Sequence, residues 1–142
     1  MTQNPLLTER EINSLHFGKF KLEPNSLFQF EEGLLGFEDL KEFVLVSDDS
    51  TVPFKWLISV DNPDIGLPLL SPWLLDLNYK PGRHADEEGC AAFVVVTLSQ
   101  AKGMTANMKA PLIFDTKKQS GKQVILPSDK YRTDFHIKGT NN

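Results

Sequence analysis

The run Cys90-Ala-Ala-Phe-Val-Val-Val-Thr-Leu98 decides the fold. It is too β-branched for a helix of its length and apolar at consecutive positions, so both faces of the strand it predicts must be covered. A strand buried on two sides belongs at the centre of a sandwich or barrel.

Working outward, further strands are expected at His16–Leu22, Leu27–Phe30, Phe43–Val46, Phe54–Val60, Leu112–Asp115, Gln123–Leu126 and Asp134–Ile137. In HFGKFKL one face carries His16, Gly18, Phe20 and Leu22, and the other carries Phe17 and two lysines, so one face is buried. Turn-formers separate the runs: Glu23-Pro24-Asn25, Glu31-Glu32-Gly33, Asp48-Asp49-Ser50, Asn62-Pro63-Asp64, Ser120-Gly121 and Pro127-Ser128-Asp129. Helix is confined to two short pieces. Phe37, Leu40 and Phe43 share a spacing of three, and Pro72–Leu77 follows Ser71, an N-cap residue, with proline at the first helical position. The expectation is an all-β, antiparallel sandwich or flattened barrel with one or two short helices. The 142 residues form one domain, ordered over about 14–138, with frayed ends at Met1–Asn13 and Gly139–Asn142.

Net charge is −4, which argues against a surface built to neutralise nucleic-acid phosphates. The charge is uneven. Glu31–Asp64 holds nine acids against Lys41 and Lys55, whereas from Gln100 onward eight Lys or Arg stand against three Asp. Such asymmetry joins two parts of one domain or marks two faces for different partners. Cys90 is the only cysteine, expected to be buried in its strand, and fits a reduced, cytoplasmic compartment. The start MTQNPLLTEREIN lacks the basic and apolar regions of a signal peptide, and Gly89–Ala101 is short of the ~20 residues of a membrane helix. No membrane association is expected.

Chemical motifs are scarce. GLLGF at 33–37 has the glycines of a phosphate loop, but Glu38 and Asp39 follow where an anion would sit. It reads instead as a rigid corner, with Gly33 and Gly36 permitting positive φ. His16, His84 and His136 have no metal-site spacing, no serine lies in a nucleophile elbow, and Glu31, Glu32, Glu38 and Asp39 flank a turn where acids are common. No cofactor, metal or catalytic residue is assigned. The aromatic loop LSPWLLDLNY, with Trp73, Asp76 and Tyr79, offers interface anchors if its rings are exposed and core plugs if they are not. A protein-binding module is the leading reading. The other is a small β-barrel enzyme or carbohydrate-binding module using the Trp73–Tyr79 loop.

Several strings, taken in order and spacing, sharpen this choice: LFQFEEGLLGFEDLKEFVLV, PFKWLISVDNP, SPWLLDLNY, AFVVVTL and MTANMKAPLIFDTKKQSGKQVIL, with Tyr131 downstream. Together they resemble the flagellar assembly factor FliW family over roughly Phe17–Tyr131. The most specific are the GLxGF turn and the TxNxxAP element at Thr105, Asn107, Ala110 and Pro111. Two departures stand out. Leu35 replaces a proline usual in the turn, which must then be held by packing, and Pro68 in GLPLLSP implies an edge strand or bulge.

The resemblance implies a cytoplasmic non-enzyme that binds two proteins, flagellin and the translational repressor CsrA, and no nucleic acid directly; a monomer is expected, although the sequence leaves the oligomeric state open. Flagellin occupies the factor until export; the freed factor then binds CsrA and relieves repression of flagellin mRNA. The acids Glu31, Glu32, Glu38 and Asp39 suit a basic RNA-binding partner, and Trp73, Asp76 and Tyr79 an apolar helical surface of flagellin.

Overall fold

The computed structural model describes residues 10–15 and 17–138. The expectations for His16, for residues 1–9 and for 139–142 lie outside the described residues, and so does the side chain of His84. Among the described residues there are eleven strands: β1 Glu11–Ser14, β2 Gly18–Lys21, β3 Leu27–Gln29, β4 Glu42–Ser47, β5 Lys55–Ser59, β6 Gly66–Leu70, β7 Cys90–Ser99, β8 Gly103–Ala106, β9 Leu112–Asp115, β10 Ser120–Gln123 and β11 Phe135–His136.

β7 organises them. Its first part, Cys90–Phe93, pairs with β9, Val94 and Val95 pair with β6, and Val96–Ser99 pairs with β8, whose other edge carries β11. From β7 the order runs β6, β5, β4, β3, β10 and β9, and β9 returns to β7. The result is a closed seven-strand barrel with β8 and β11 as an arm off one end of β7. Closure removes free sheet edges. All pairings are antiparallel except β3–β10, which meet in parallel through Ser120 and Gln29. That seam is sewn by Gln119. Its amide Nε2 donates to the carbonyls of Leu27 at 2.6 Å, Asn25 at 3.1 Å and Pro24 at 3.3 Å, and its backbone carbonyl accepts from Gln29 N at 2.9 Å.

The two-faced apolar run of β7 finds a core on each side. Phe93 and Val95 pack into the barrel interior with Phe28, Phe30, Phe43, Leu57, Leu69 and Phe114. Val94 and Val96 face a second core with Leu70, Tyr79, Met108, Leu126 and Tyr131. Burying each such side chain stabilises the fold by roughly 1.5–3 kcal/mol, so β7 contributes twice along its length. The barrel interior is aromatic: Phe114 meets Phe28, Phe30 and Phe93 edge-on with centroids at 5.0, 5.6 and 5.7 Å. A third cluster, with Ile12, Leu22, Val44 and Ile58, seats the β1–β2 hairpin on the outside of β4 and β5. Arg10 ties that hairpin down through a two-pronged contact with Glu42, 3.0 Å on each arm.

Several expectations need correction. Glu11–Asn13 are not a frayed end: the alternation of Ile12 and Ser14 inward against Glu11 and Asn13 outward makes Glu11–Ser14 a strand. Phe37–Phe43 is not a helix. Gly36 has φ +88°, Leu34 and Phe37 bridge across the turn, and Phe43 already lies in β4, so a spacing of three arises from successive turns. Pro72–Leu77 keeps only one 3-10 turn, Pro72–Leu74, and Ser71 makes no side-chain cap. Val124–Leu126 continue past β10 without strand pairing as such, although Val124 and Leu126 still donate to the Pro111 and Lys109 carbonyls. Pro68 is in an internal strand, between β5 and β7. It is tolerated because the β6–β7 register pairs are confined to Leu69 and Leu70, so the missing N–H interrupts none of them.

Candidate functional site

The corner after β3 is built by its glycines. Gly33, at φ +67°, donates to the Phe30 carbonyl, and a Cβ there would lie 2.6 Å from the Glu38 carbonyl oxygen. Leu34 is buried and Leu35 exposed, and Phe37 and Leu40 pack against the barrel core. The turn is not held by packing alone. Leu35 N donates to Gln123 Oε1 at 2.8 Å, a bond a proline could not make, and Gln123 Nε2 donates onward to the Ala110 carbonyl at 3.0 Å.

This corner displays the four acids. Glu31, Glu32, Glu38 and Asp39 are all exposed. Glu38 also accepts from Gly36 N at 3.2 Å, so it has a local role in the turn. Glu31 and Glu32 line a cleft of about 670 Å³ with Glu87, Asp115, Lys118 and Lys122. The structure thus brings acids of the front half against lysines of the tail. Cys90, expected to be buried, is half-exposed on this cleft. Its thiol pKa is raised, by desolvation first and then by the Asp115 and Glu87 carboxylates, which keeps it protonated and weakly nucleophilic at neutral pH.

A second surface was not legible as a site. Where the pairing of β7 passes from β6 to β8, an apolar groove lies on the sheet. Thr51, Val52, Phe54, Trp56, Pro68, Val96, Leu98 and Met104 line it, around about 430 Å³. Leu98 is 76% exposed and Val52 71%. Its polar member, Thr51, is already committed: the hydroxyl accepts from Trp56 Nε1 at 3.0 Å and donates to the Asp48 carbonyl at 3.2 Å. The Val52-Pro53-Phe54 loop was a partial signal. Leu98, at the end of a run that reads as core, gave none.

The groove and the acid cleft share no lining residue. They sit at opposite ends of β7, and Cys90 and Leu98 are about 26 Å apart along an extended strand at ~3.3 Å per residue.

The aromatic loop points inward. Tyr79 is 3% exposed, its hydroxyl donates to the Met108 carbonyl at 2.6 Å, and its ring meets Tyr131 at 4.7 Å. Burial pushes its pKa far up. Tyr79 is therefore a core strut and not a surface anchor. Trp73 is half-buried, with its indole N–H on the Tyr79 carbonyl at 3.0 Å, and the half-buried Asp76 carboxylate accepts from Asn78 N at 2.9 Å. The loop exposes Leu74 and Leu77 instead. The TxNxxAP string is also architectural: Asn107 Oδ1 accepts from Ala110 N at 3.1 Å, and Thr105 and Ala110 are buried. Among the described residues, no group of three or more His, Cys, Asp or Glu is arranged to hold a metal, and no helix is long and apolar enough to cross a membrane.

These features define a class, a small closed-barrel β protein with a mixed-charge cleft at one end of its central strand and an apolar groove at the other. The sequence profile described as FliW protein matches residues 11–137. The flagellar assembly factor FliW of Thermoanaerobacter pseudethanolicus is 37% identical over 134 residues, covering 85% of this chain and 88% of that protein. The flagellar assembly factor FliW of Thermosipho africanus is 32% identical over 126 residues, covering 81% and 87%. A crystal structure of the flagellar assembly factor FliW superposes with a TM-score of 0.80 at 29% identity, covering 92% of this chain and 98% of that one. The chain belongs to the FliW family.

Proposed function

We propose that this protein is a non-enzymatic flagellar assembly factor that binds flagellin and CsrA and relieves CsrA repression of flagellin mRNA by switching between them. The family match over residues 11–137 carries the reading. In this reading it acts in the cytoplasm, as one domain and as a monomer. The exposed acids Glu31, Glu32, Glu38 and Asp39 steer the basic CsrA, since complementary potentials speed encounter and set orientation. Flagellin, rich in helix, meets an apolar surface elsewhere. Two separated surfaces suit two partners. Exclusion between them then comes from the bulk of the bound proteins or from coupling through β7.

Calorimetric titration against CsrA and flagellin, singly and in competition, tests this. Binding to each and displacement of one by the other is expected; a stable ternary complex contradicts the switch. Charge reversal at the four acids should slow CsrA association and flatten its salt dependence, and an unchanged rate would remove them from the interface.

A further inference from the structure

We propose that the β1–β2 hairpin is a strap over the outside of β4 and β5, latched by one ion pair, that opens as a unit while the barrel beneath it stays closed.

Connectivity separates the two parts. Among the described residues β1 and β2 pair only with each other, Glu11 to Ser14 against Lys21 to Gly18, in a two-stranded sheet apart from the nine-stranded one. The strands beneath need nothing from it: β4 is paired with β3 and β5, and β5 with β4 and β6, so the barrel ladder is complete without the hairpin. The hairpin is a single layer. Ile12 and its partner Phe20 turn inward with Ser14 and Gly18, while Glu11 opposite Lys21 and Asn13 opposite Lys19 face water. A lone two-stranded hairpin is marginal in water, so β1 and β2 depend on their seat to stay folded.

That seat is side-chain contact. Ile12 and Leu22 are buried in one cluster with Val44 and Ile58, and the Phe17 ring meets Trp56 edge-on at 5.9 Å. Among the described residues, the only hydrogen bonds from residues 10–21 to the barrel are the two from Arg10 to Glu42, at 3.0 Å each. This latch is accessible to solvent, its side chains 41% and 27% exposed. Asp61, whose carboxylate accepts from Lys41 N at 3.3 Å, adds a second negative charge toward Arg10. The hinge is fixed on the far side: Gln119 Nε2 holds the carbonyls of Pro24, Asn25 and Leu27, so the chain is stapled to the barrel from Pro24 on and the moving part ends before it. Salt screens an exposed ion pair and spares apolar contact. Ionic strength therefore sets how often the strap opens.

Amide hydrogen exchange of the whole chain, followed by NMR at low denaturant, tests this. Leu22 N, which donates to the Arg10 carbonyl at 2.7 Å, reports the strap; Phe30 N on the Lys41 carbonyl at 2.7 Å and Val60 N on the Glu42 carbonyl at 2.9 Å report the wall beneath. Corrected for intrinsic rates, Leu22 should exchange at least about tenfold faster than either, with little dependence on denaturant, as local opening requires. Arg10→Gln should speed Leu22 by a further two- to fivefold or so and leave Phe30 and Val60 within about twofold. Glu42→Gln should act alike, and the double variant should add little to either alone. Raising salt from about 0.01 M to about 1 M, which shortens the Debye length from about 30 Å to about 3 Å, should speed Leu22 in the wild type and not in Arg10→Gln. The amides bonded across β1 and β2 should respond together; a response confined to Leu22 is fraying of one end and overturns the unit. Leu22 protection equal to that of Phe30 and Val60, with the same steep denaturant dependence, makes the hairpin part of the barrel's own cooperative unit and overturns the strap. Exchange at Leu22 that ignores both Arg10→Gln and salt overturns the latch.

Discussion

Replacing Gly121 by alanine should loosen the barrel at its seam. A Cβ at Gly121 would lie 2.3 Å from Cζ of Phe30 and 2.6 and 2.7 Å from its two Cε atoms. Ordinary carbon contacts are about 3.5–4.0 Å, so the ring must retreat by about 1 Å or more. It has nowhere easy to go: Phe30 is fully buried, against Phe43 at 5.3 Å and Phe114 at 5.6 Å. Overpacking of this kind costs roughly 1–3 kcal/mol. At this chain length that corresponds to a loss of about 3–10 °C in Tm. Thermal and urea unfolding of Gly121→Ala measures the cost. A cycle with Phe30→Leu then identifies the cause, because a shorter side chain makes room for the new methyl. The double variant should be more stable than the sum of the two single losses implies, by about 1 kcal/mol or more. A neutral Gly121→Ala, or losses that simply add, would refute the packing argument.

Three other outcomes are expected. Gln119→Ala removes the amide that spans the β3–β10 seam while leaving its backbone at φ +52°, so it should lower stability by about 1–3 kcal/mol in urea titration, with faster hydrogen exchange at Gln29. Gly33→Ala should cost more than Gly36→Ala, because both need positive φ but only Gly33 also meets the Glu38 backbone; Gly36→Val should cost roughly 1–3 kcal/mol, and paired melting curves give the order. Asp134 has a lowered pKa, through the Lys102 hydrogen bond first and the Arg132 charge as well, so its stabilisation is full above the ordinary carboxylate value of 3.8 and is lost as pH falls through the lowered value. Asp134→Asn should accordingly melt below the wild type at pH 7, with the two curves converging in acid and in high salt.

Local sequence determined a great deal. The doubled apolar face of β7, the β-branched and aromatic runs of β4 and β5, and the glycine corner at 33–36 each follow from side-chain chemistry or backbone sterics, which act over a few residues. The order of strings also pointed to the family. Local pattern failed where pairing decides. A spacing of three in Phe37, Leu40 and Phe43 reads as a helix until Gly36 at positive φ and the Leu34–Phe37 bridge are known. Pro68 reads as an edge residue until β6 is seen between β5 and β7, with its β7 pairs confined to Leu69 and Leu70.

The candidate surfaces divide in the same way. Exposure of Glu31, Glu32, Glu38 and Asp39 could be expected from their charge, because isolated carboxylates are costly to bury. Composition does not say which side an aromatic ring faces: Tyr79 reads as an anchor and is a buried strut, satisfied by a carbonyl 29 residues away. Leu98 presents the converse. In sequence it ends a core strand, yet there β7 pairs with the arm strand β8, and Leu98 is left exposed beside Met104, Trp56 and Pro68. Most strands were set by chemistry along the chain, while β1, β6 and β8 were not expected from it and form by pairing with their neighbours; which faces meet water was fixed by closure of the barrel, since burial depends on neighbours that sequence distance hides.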